Sequence, residues 1–139
     1  MLEDVRAACA PLGEVLVCDA PGGQGQALSA FLEDVSGPVV IVNADVPCVR
    51  TDELEALSAA APALVAAADG TTNALALTDA REFVPLYGAG SAARYAATLN
   101  ARPLDLPGLR DDVDTWDDLV RVSERAGPNT HRLLKALAA

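Results

Sequence analysis

The stretch GPVVIVNADVPCVRTDEL, Gly37 to Leu54, decides the fold. Val39, Val40, Ile41 and Val42 make a β-branched apolar run with no charge on either face. Such a run suits a strand buried on both sides, as in a parallel sheet covered by helices. Asn43, Asp45 and Pro47 follow directly, and a helix starts at Thr51 or Asp52. Open α/β sheets bind ligands beyond the carboxyl ends of their strands, and Asp45 falls there. The reading of this stretch is that Asp45 holds a metal ion for a nucleotide reaction.

Composition narrows the field. A chain of 139 residues, 51 % of them hydrophobic, forms one domain over 1–139 and is not disordered. Aromatics make up only 4 %, which favours close helix–sheet packing over large aromatic clusters. The net charge is −10 and Lys135 is the only lysine. Broad contact with DNA or RNA rests on Lys and Arg neutralising phosphates, so this balance excludes it. One small anion held by backbone N–H groups and a metal remains compatible. Cys9, Cys18 and Cys48 are too few and too scattered for a disulfide framework, and no CxxC or His-rich spacing appears. They read as small buried hydrophobes in a reducing cytoplasm. Met1–Leu2–Glu3–Asp4 is acidic where a signal peptide needs a basic start. No apolar run reaches the ~18 residues of a membrane span. A cytoplasmic protein without membrane contact is expected.

Working outward, residues 2–12 predict a short helix ended by Pro11 and Gly13, and Glu14–Cys18 a strand. Gly22–Gly23–Gln24–Gly25–Gln26 is a glycine-rich turn before a helix over Ala27–Asp34, without the Gly-Lys-Ser/Thr ending of a P-loop. It is either a flexible connection or a place where Gln24 and Gln26 meet a nucleobase edge. After a helix over Asp52–Ala60, Ala63–Ala68 and Asn73–Leu77 read as a hairpin or closely linked strands around Asp69–Gly70–Thr71–Thr72, which adds an antiparallel element to the sheet. Gly88–Ala89–Gly90–Ser91 puts a bend and a hydroxyl at the start of a helix running to Leu99. That is either a simple serine cap or an anion site at a helix N-terminus. Arg102–Leu106 is a short extended piece. Thr115 and Asp118 fit a capping box for a helix to Ala126, and Thr130–Ala139 is a final helix. His131, the only histidine, reads as structural. The alternation gives an α/β, three-layer pattern.

Three features can share one site: Asp45, the Asp112/Asp114 pair, and the Gly88–Ser91 helix start. Carboxylates are hard donors suited to Mg²⁺, which binds one or two of them plus substrate phosphates and water. In an extended Asp112–Val113–Asp114 both carboxylates face one side. Opposite Asp45 they can hold Mg²⁺ against a triphosphate. The plainer alternatives are that Asp45 caps a turn and that Asp112 and Asp114 favour the following helix start.

Asp69–Gly70–Thr71–Thr72–Asn73–Ala74–Leu75, Tyr87–Gly88–Ala89–Gly90–Ser91–Ala92–Ala93–Arg94 and Asp112–Val113–Asp114–Thr115–Trp116–Asp117–Asp118–Leu119 occur in the order and spacing of one family. They resemble the GTNALL, FGPGSAARH and LDVDTPEDL motifs of the 2-phospho-L-lactate, or phosphoenolpyruvate, guanylyltransferases of coenzyme F(420) biosynthesis. Asn43–Pro47 is similar to the family's ADLP segment and Gly25–Leu28 to its GLNxAL segment, so the likeness spans about residues 14–135. The resemblance implies a Rossmann-like nucleotidyltransferase fold. It further implies transfer of GMP from GTP to a phosphorylated three-carbon acid, with pyrophosphate release. By position, Asp45, Asp112 and Asp114 would hold Mg²⁺, with Asp45 and Asp114 as catalytic residues. Thr71, Thr72, Gly88 and Ser91 would receive the acid, and Gly25 and Gln26 would lie near the guanine. The acid's own phosphate is the nucleophile, consistent with the lack of a Ser–His or Cys–His constellation.

The chain departs from that pattern at its start. Family members open with a strand, a basic phosphate-gripping loop and a helix. Here the chain begins around that later helix, short of about 50 residues by the usual size of α/β units. The sheet is therefore expected to be N-terminally shortened, with an apolar edge covered by a homo-oligomer or partner chain. Two rivals follow: a binding module keeping the acid-binding half, and another nucleotidyltransferase, such as one acting on the molybdenum cofactor. Gly88–Ser91 and Asp112–Thr115 favour the guanylyltransferase over the latter.

Overall fold

The computed structural model describes residues 1–137. Ala138 and Ala139, included in the expected last helix, lie outside the described residues. The sheet is organised by a hairpin, β2 (Ala63–Ala66) and β3 (Thr72–Leu77), in which Leu64 faces Leu75. Its turn follows from Asp69, whose Oδ1 accepts from both the Thr71 N–H and the Thr71 hydroxyl, and from Gly70 at φ 84°. β1 (Val39–Val42) pairs antiparallel with β3, and β4 (Arg102–Pro103) pairs parallel with β2. The strand order is β1-β3-β2-β4.

The expected antiparallel β2–β3 pair is present, while the expected place of Val39–Val42 as a central strand of a parallel sheet is corrected here. Two of the three pairings are antiparallel, and the central, wholly buried strand is β3. β1 is an edge strand and only Ile41 in it is fully buried. The expected strand Glu14–Cys18 is also absent: those residues lack regular structure. A strand persists only where a neighbour takes up its backbone donors and acceptors. Between β1 and Gly13–Cys18 lies instead an open groove of about 670 Å³, lined among others by Leu16, Leu28, Phe31, Val40 and Leu54.

Alternation along the hairpin builds a core on each face of the sheet. Ala63, Val65, Ala74 and Ala76 pack with Val5 of α1 (Leu2–Cys9), Leu54 and Leu57 of α3 (Thr51–Ala59) and Leu109 of α5 (Pro107–Arg110). Leu64, Leu75 and Leu77 pack with Leu28 and Leu32 of α2 (Gln24–Leu32) and Tyr95 of α4 (Ser91–Leu99). Each fully buried leucine contributes about 1.5–3 kcal/mol. α6 (Trp116–Val122) starts on the expected capping box but stops short of Ala126. α7 (Pro128–Leu137) begins earlier than expected because Asp4, from α1, caps it. Asp4 Oδ1 accepts from Asn129 N and Nδ2 at 2.9 and 3.0 Å, and Oδ2 from Thr130 N and Oγ1 at 2.8 and 2.6 Å. His131 Nδ1 lies 2.9 Å from the Ala126 carbonyl, as suits a structural histidine. No described helix is long and apolar enough to cross a membrane.

Candidate functional site

The end of β1 and the start of β3 lie side by side, the Asn43 N–H donating to the Asn73 carbonyl at 2.9 Å. Asp45 follows from β1, and the Asp112–Asp114 segment is tied to it by Val113 N–H donating to Asp45 O at 2.9 Å. Sequence spacing alone could not show that contact across nearly seventy residues; the backbone bond makes it. Asp45 Oδ1 is buried and has no hydrogen-bond partner. Burial pushes the Asp45 carboxyl above the usual carboxylate range against the pull of its own backbone N–H, and the Asp112 and Asp114 charges push it further. Asp112 is raised as well, first by burial and then by Asp114 and Asp69.

This is acidic ground with an unmet electrostatic need. A divalent cation would meet it, by satisfying an orphaned oxygen and cancelling the repulsion among the acids. The fit is partial. Among the described residues no three His, Cys, Asp or Glu side chains are gathered tightly enough to hold a metal on their own. Mg²⁺, which draws on one or two carboxylates and completes its shell with water and phosphate, is the cation that such a set suits.

The acid-binding candidates meet at an adjoining corner. Thr72 Oγ1 and Ser91 Oγ lie 2.9 Å apart, both buried, joining the start of β3 to the start of α4. Ala92 N–H donates to Gly70 O and Ser91 N–H to Gly88 O, so loop carbonyls occupy two donors of the first turn. Thr71, half-buried, gives its hydroxyl to Asp69. Gly88 and Gly90 are exposed at φ 113° and 70°, which only glycine adopts without strain. Arg94 holds this bend in shape: its guanidinium donates to Leu86 O at 2.7 Å and Ala89 O at 2.6 Å. The structure thus brings Thr71, Thr72, Gly88 and Ser91 together, with the two buried hydroxyls already paired.

Gly25 and Gln26 begin α2 on the other side of Asn43. A Cβ on Gly25 would come within 3.1 Å of Pro85 Cβ, so this glycine permits the packing of α2 on the Val84–Leu86 loop. Gln26 is exposed. Gln24 reaches the site, donating from Nε2 to Asn43 Oδ1 at 2.6 Å. Sequence reasoning assigned no role to Asn43, Asn73 or Arg94. Their signal was faint: a carboxamide in an otherwise apolar strand, and an arginine one helical turn past a glycine bend.

No protein-family model matches the chain. A phosphoenolpyruvate guanylyltransferase of Rhodococcus opacus is 43 % identical over 130 residues, covering 83 % of this chain and 53 % of the relative. One of Nocardia farcinica is 42 % identical over 104 residues, covering 70 % of this chain and 46 % of the relative. The chain is homologous to the phosphoenolpyruvate guanylyltransferases. A third such relative, from Geodermatophilus obscurus, is 37 % identical over 135 residues, 91 % of this chain and 63 % of its own length. The chain therefore spans about half to two thirds of the guanylyltransferases it matches. Asp45, the Asp112–Asp114 segment and the Thr72–Ser91 corner converge at one end of the sheet in this shared portion.

Proposed function

We propose that the chain is a guanylyltransferase on a Rossmann-like nucleotidyltransferase framework. It transfers GMP from GTP to phosphoenolpyruvate or 2-phospho-L-lactate, releasing pyrophosphate, in the cytoplasmic biosynthesis of coenzyme F(420). One observation carries the reading: an orphaned Asp45 oxygen beside Asp112 adjoins a glycine–hydroxyl corner, in a chain homologous to phosphoenolpyruvate guanylyltransferases.

In the proposed reaction a phosphate oxygen of the acid attacks the α-phosphorus of GTP. The bond from that phosphorus to the oxygen bridging the β-phosphate breaks, and pyrophosphate leaves with the electron pair. Asp45 with Asp112 or Asp114 would hold Mg²⁺, which when bound would supply charge neutralisation for the phosphate oxygens. The chain's own residues position the reactants. Thr71 and the exposed Gly88 bend receive the acid, while the Thr72–Ser91 pair and Arg94 keep that bend rigid. Gly25 and Gln26, in the first turn of α2, lie near the guanine. A further polypeptide segment covers the open side of β1, a reading supported by the apolar groove along it.

The test is purified protein with GTP, Mg²⁺ and either acid, followed by pyrophosphate release. Release that disappears in Asp45→Ala supports the proposal. Binding of the acid with no turnover at any concentration overturns it in favour of a binding module.

A further inference from the structure

β3 is apolar from Ala74 to Leu77, yet Asn73 stands in it at 1 % exposure. A buried carboxamide is costly unless its polar atoms are matched. Its Nδ2 donates to the Arg110 carbonyl at 3.0 Å, which turns Oδ1 toward Asn43. Asn43 presents Nδ2 there, 3.3 Å from Asn73 Oδ1 and 3.3 Å from the Thr72 carbonyl. Asn43 Oδ1 is thereby left to accept from Gln24 Nε2 at 2.6 Å. Backbone carbonyls only accept, so Arg110 O and Thr72 O fix the polarity of all three side chains. None of them can turn over without setting acceptor against acceptor or donor against donor.

The chain of hydrogen bonds ends in the open. Gln24 is exposed, and among the described residues its carboxamide bonds Asn43 alone, leaving Oε1 and one N–H free. The turn before it leaves room, since a Cβ on Gly23 would meet no atom within 4 Å. Asn43 stands two residues before Asp45, so the tether belongs to the same end of the sheet as the proposed reaction centre.

Purines differ on the edge that such a group reads. Guanine offers O6 and N1–H, an acceptor beside a donor, where adenine offers N6–H and N1, a donor beside an acceptor. A carboxamide free to rotate serves either base by turning over. One held in a single polarity matches one order and sets like against like with the other.

We propose that Gln24 is the specificity-determining residue that separates guanine from adenine, with Asn43 and Asn73 as positioning residues that fix its polarity. This rests on the guanylyltransferase reading, which supplies the nucleotide; the carboxamide chain supplies the discrimination.

The experiment measures Kd for GTP and for ATP by titration calorimetry with Mg²⁺ and without the acid, beside pyrophosphate release with phosphoenolpyruvate added. The ratio of the two Kd values is read on folded protein, so a variant that is merely less stable does not move it. Gln24→Leu should lower the preference for GTP about 10- to 100-fold, through weaker GTP binding. Asn43→Ala keeps Gln24 but lets it turn over, so the preference should fall through tighter ATP binding. A glutamine that only holds the turn would weaken both nucleotides together, and an unchanged ratio in Gln24→Leu overturns the inference. A ratio that falls there but holds in Asn43→Ala overturns the role of the tether. Wild-type protein that binds neither nucleotide, or both alike, also overturns the inference. The catalytic reading fails separately: wild type that prefers GTP yet releases no pyrophosphate removes the transfer reaction and leaves the assignment of Gln24 standing.

Discussion

Asp4 and Asp45 are acids on buried ground, treated in opposite ways by the fold. Asp4 sits between α1 and α7 and accepts four hydrogen bonds from Asn129 and Thr130. Burial works against its charge, yet bonds from Thr130 and Asn129 win and hold its carboxyl below the ordinary range. Even the space is prescribed, since a Cβ on Gly127 would run into the Asp4 carboxyl. Asp45 leaves a buried oxygen without a partner and has carboxylates for neighbours, and its carboxyl is raised. The chain completes the first acid by itself. The second keeps an unpartnered oxygen, which separates a structural acid from the acid proposed above as a cation ligand.

The contrast can be broken most severely through activity. Asp45→Asn keeps the shape and removes the charge. Pyrophosphate release should fall by more than the roughly 100-fold typical of losing an outer-shell partner. Asp4→Asn should leave the specific activity of the folded protein within about twofold, since the Asp4 carboxylate bonds Asn129 and Thr130 and none of the proposed site residues; a comparable collapse in both variants would erase the distinction.

Stability should divide the two acids the other way. Asp4→Ala strips four bonds from a buried helix start and is expected to cost about 2–4 kcal/mol in urea unfolding. Asp45→Asn relieves unpaired burial and repulsion, and should raise stability at neutral pH by up to about 1 kcal/mol. A loss of several kcal/mol there would mean that Asp45 is part of the scaffold.

Acidity sharpens the same point through opposite signs. Asp4 has a lowered folded value, so its contribution is full above the unfolded pKa of about 3.9 and is lost as pH falls through the folded value. Asp45 has a raised folded value. Its favourable contribution is present below about 3.9 and is lost as pH rises through the folded value. The stability gain of Asp45→Asn over wild type should therefore shrink as the pH is lowered from 7 to 4. A gain that grows over that range would reverse the assignment.

Much of the site was legible in the sequence because its pieces are local. The Asp69 turn, the Gly88–Ser91 bend and the Thr115–Asp118 capping box each satisfy their polar groups within a few residues, so short-range chemistry fixes them. What could not be read depends on contacts distant in sequence. Val39–Val42 has the composition of a central strand, yet edge or centre is decided by which strands lie beside it, and β3 took the middle. Glu14–Cys18 has strand composition too, but without a ladder it stays irregular. In sequence Asn73 is one more position in a motif; its carboxamide lies between Asn43 and Arg110 only because the fold brings those two distant residues to it.

The central claim is that Asp45 is left unsatisfied for a cation. Thermal unfolding of wild type and Asp45→Asn at pH 7, with Mg²⁺ absent and then at about ten times its Kd, tests it directly. Mg²⁺ should stabilise wild type by about 1.4 kcal/mol, or roughly 3–6 °C, and leave Asp45→Asn unmoved. Equal shifts in both proteins, or none in either, would contradict it.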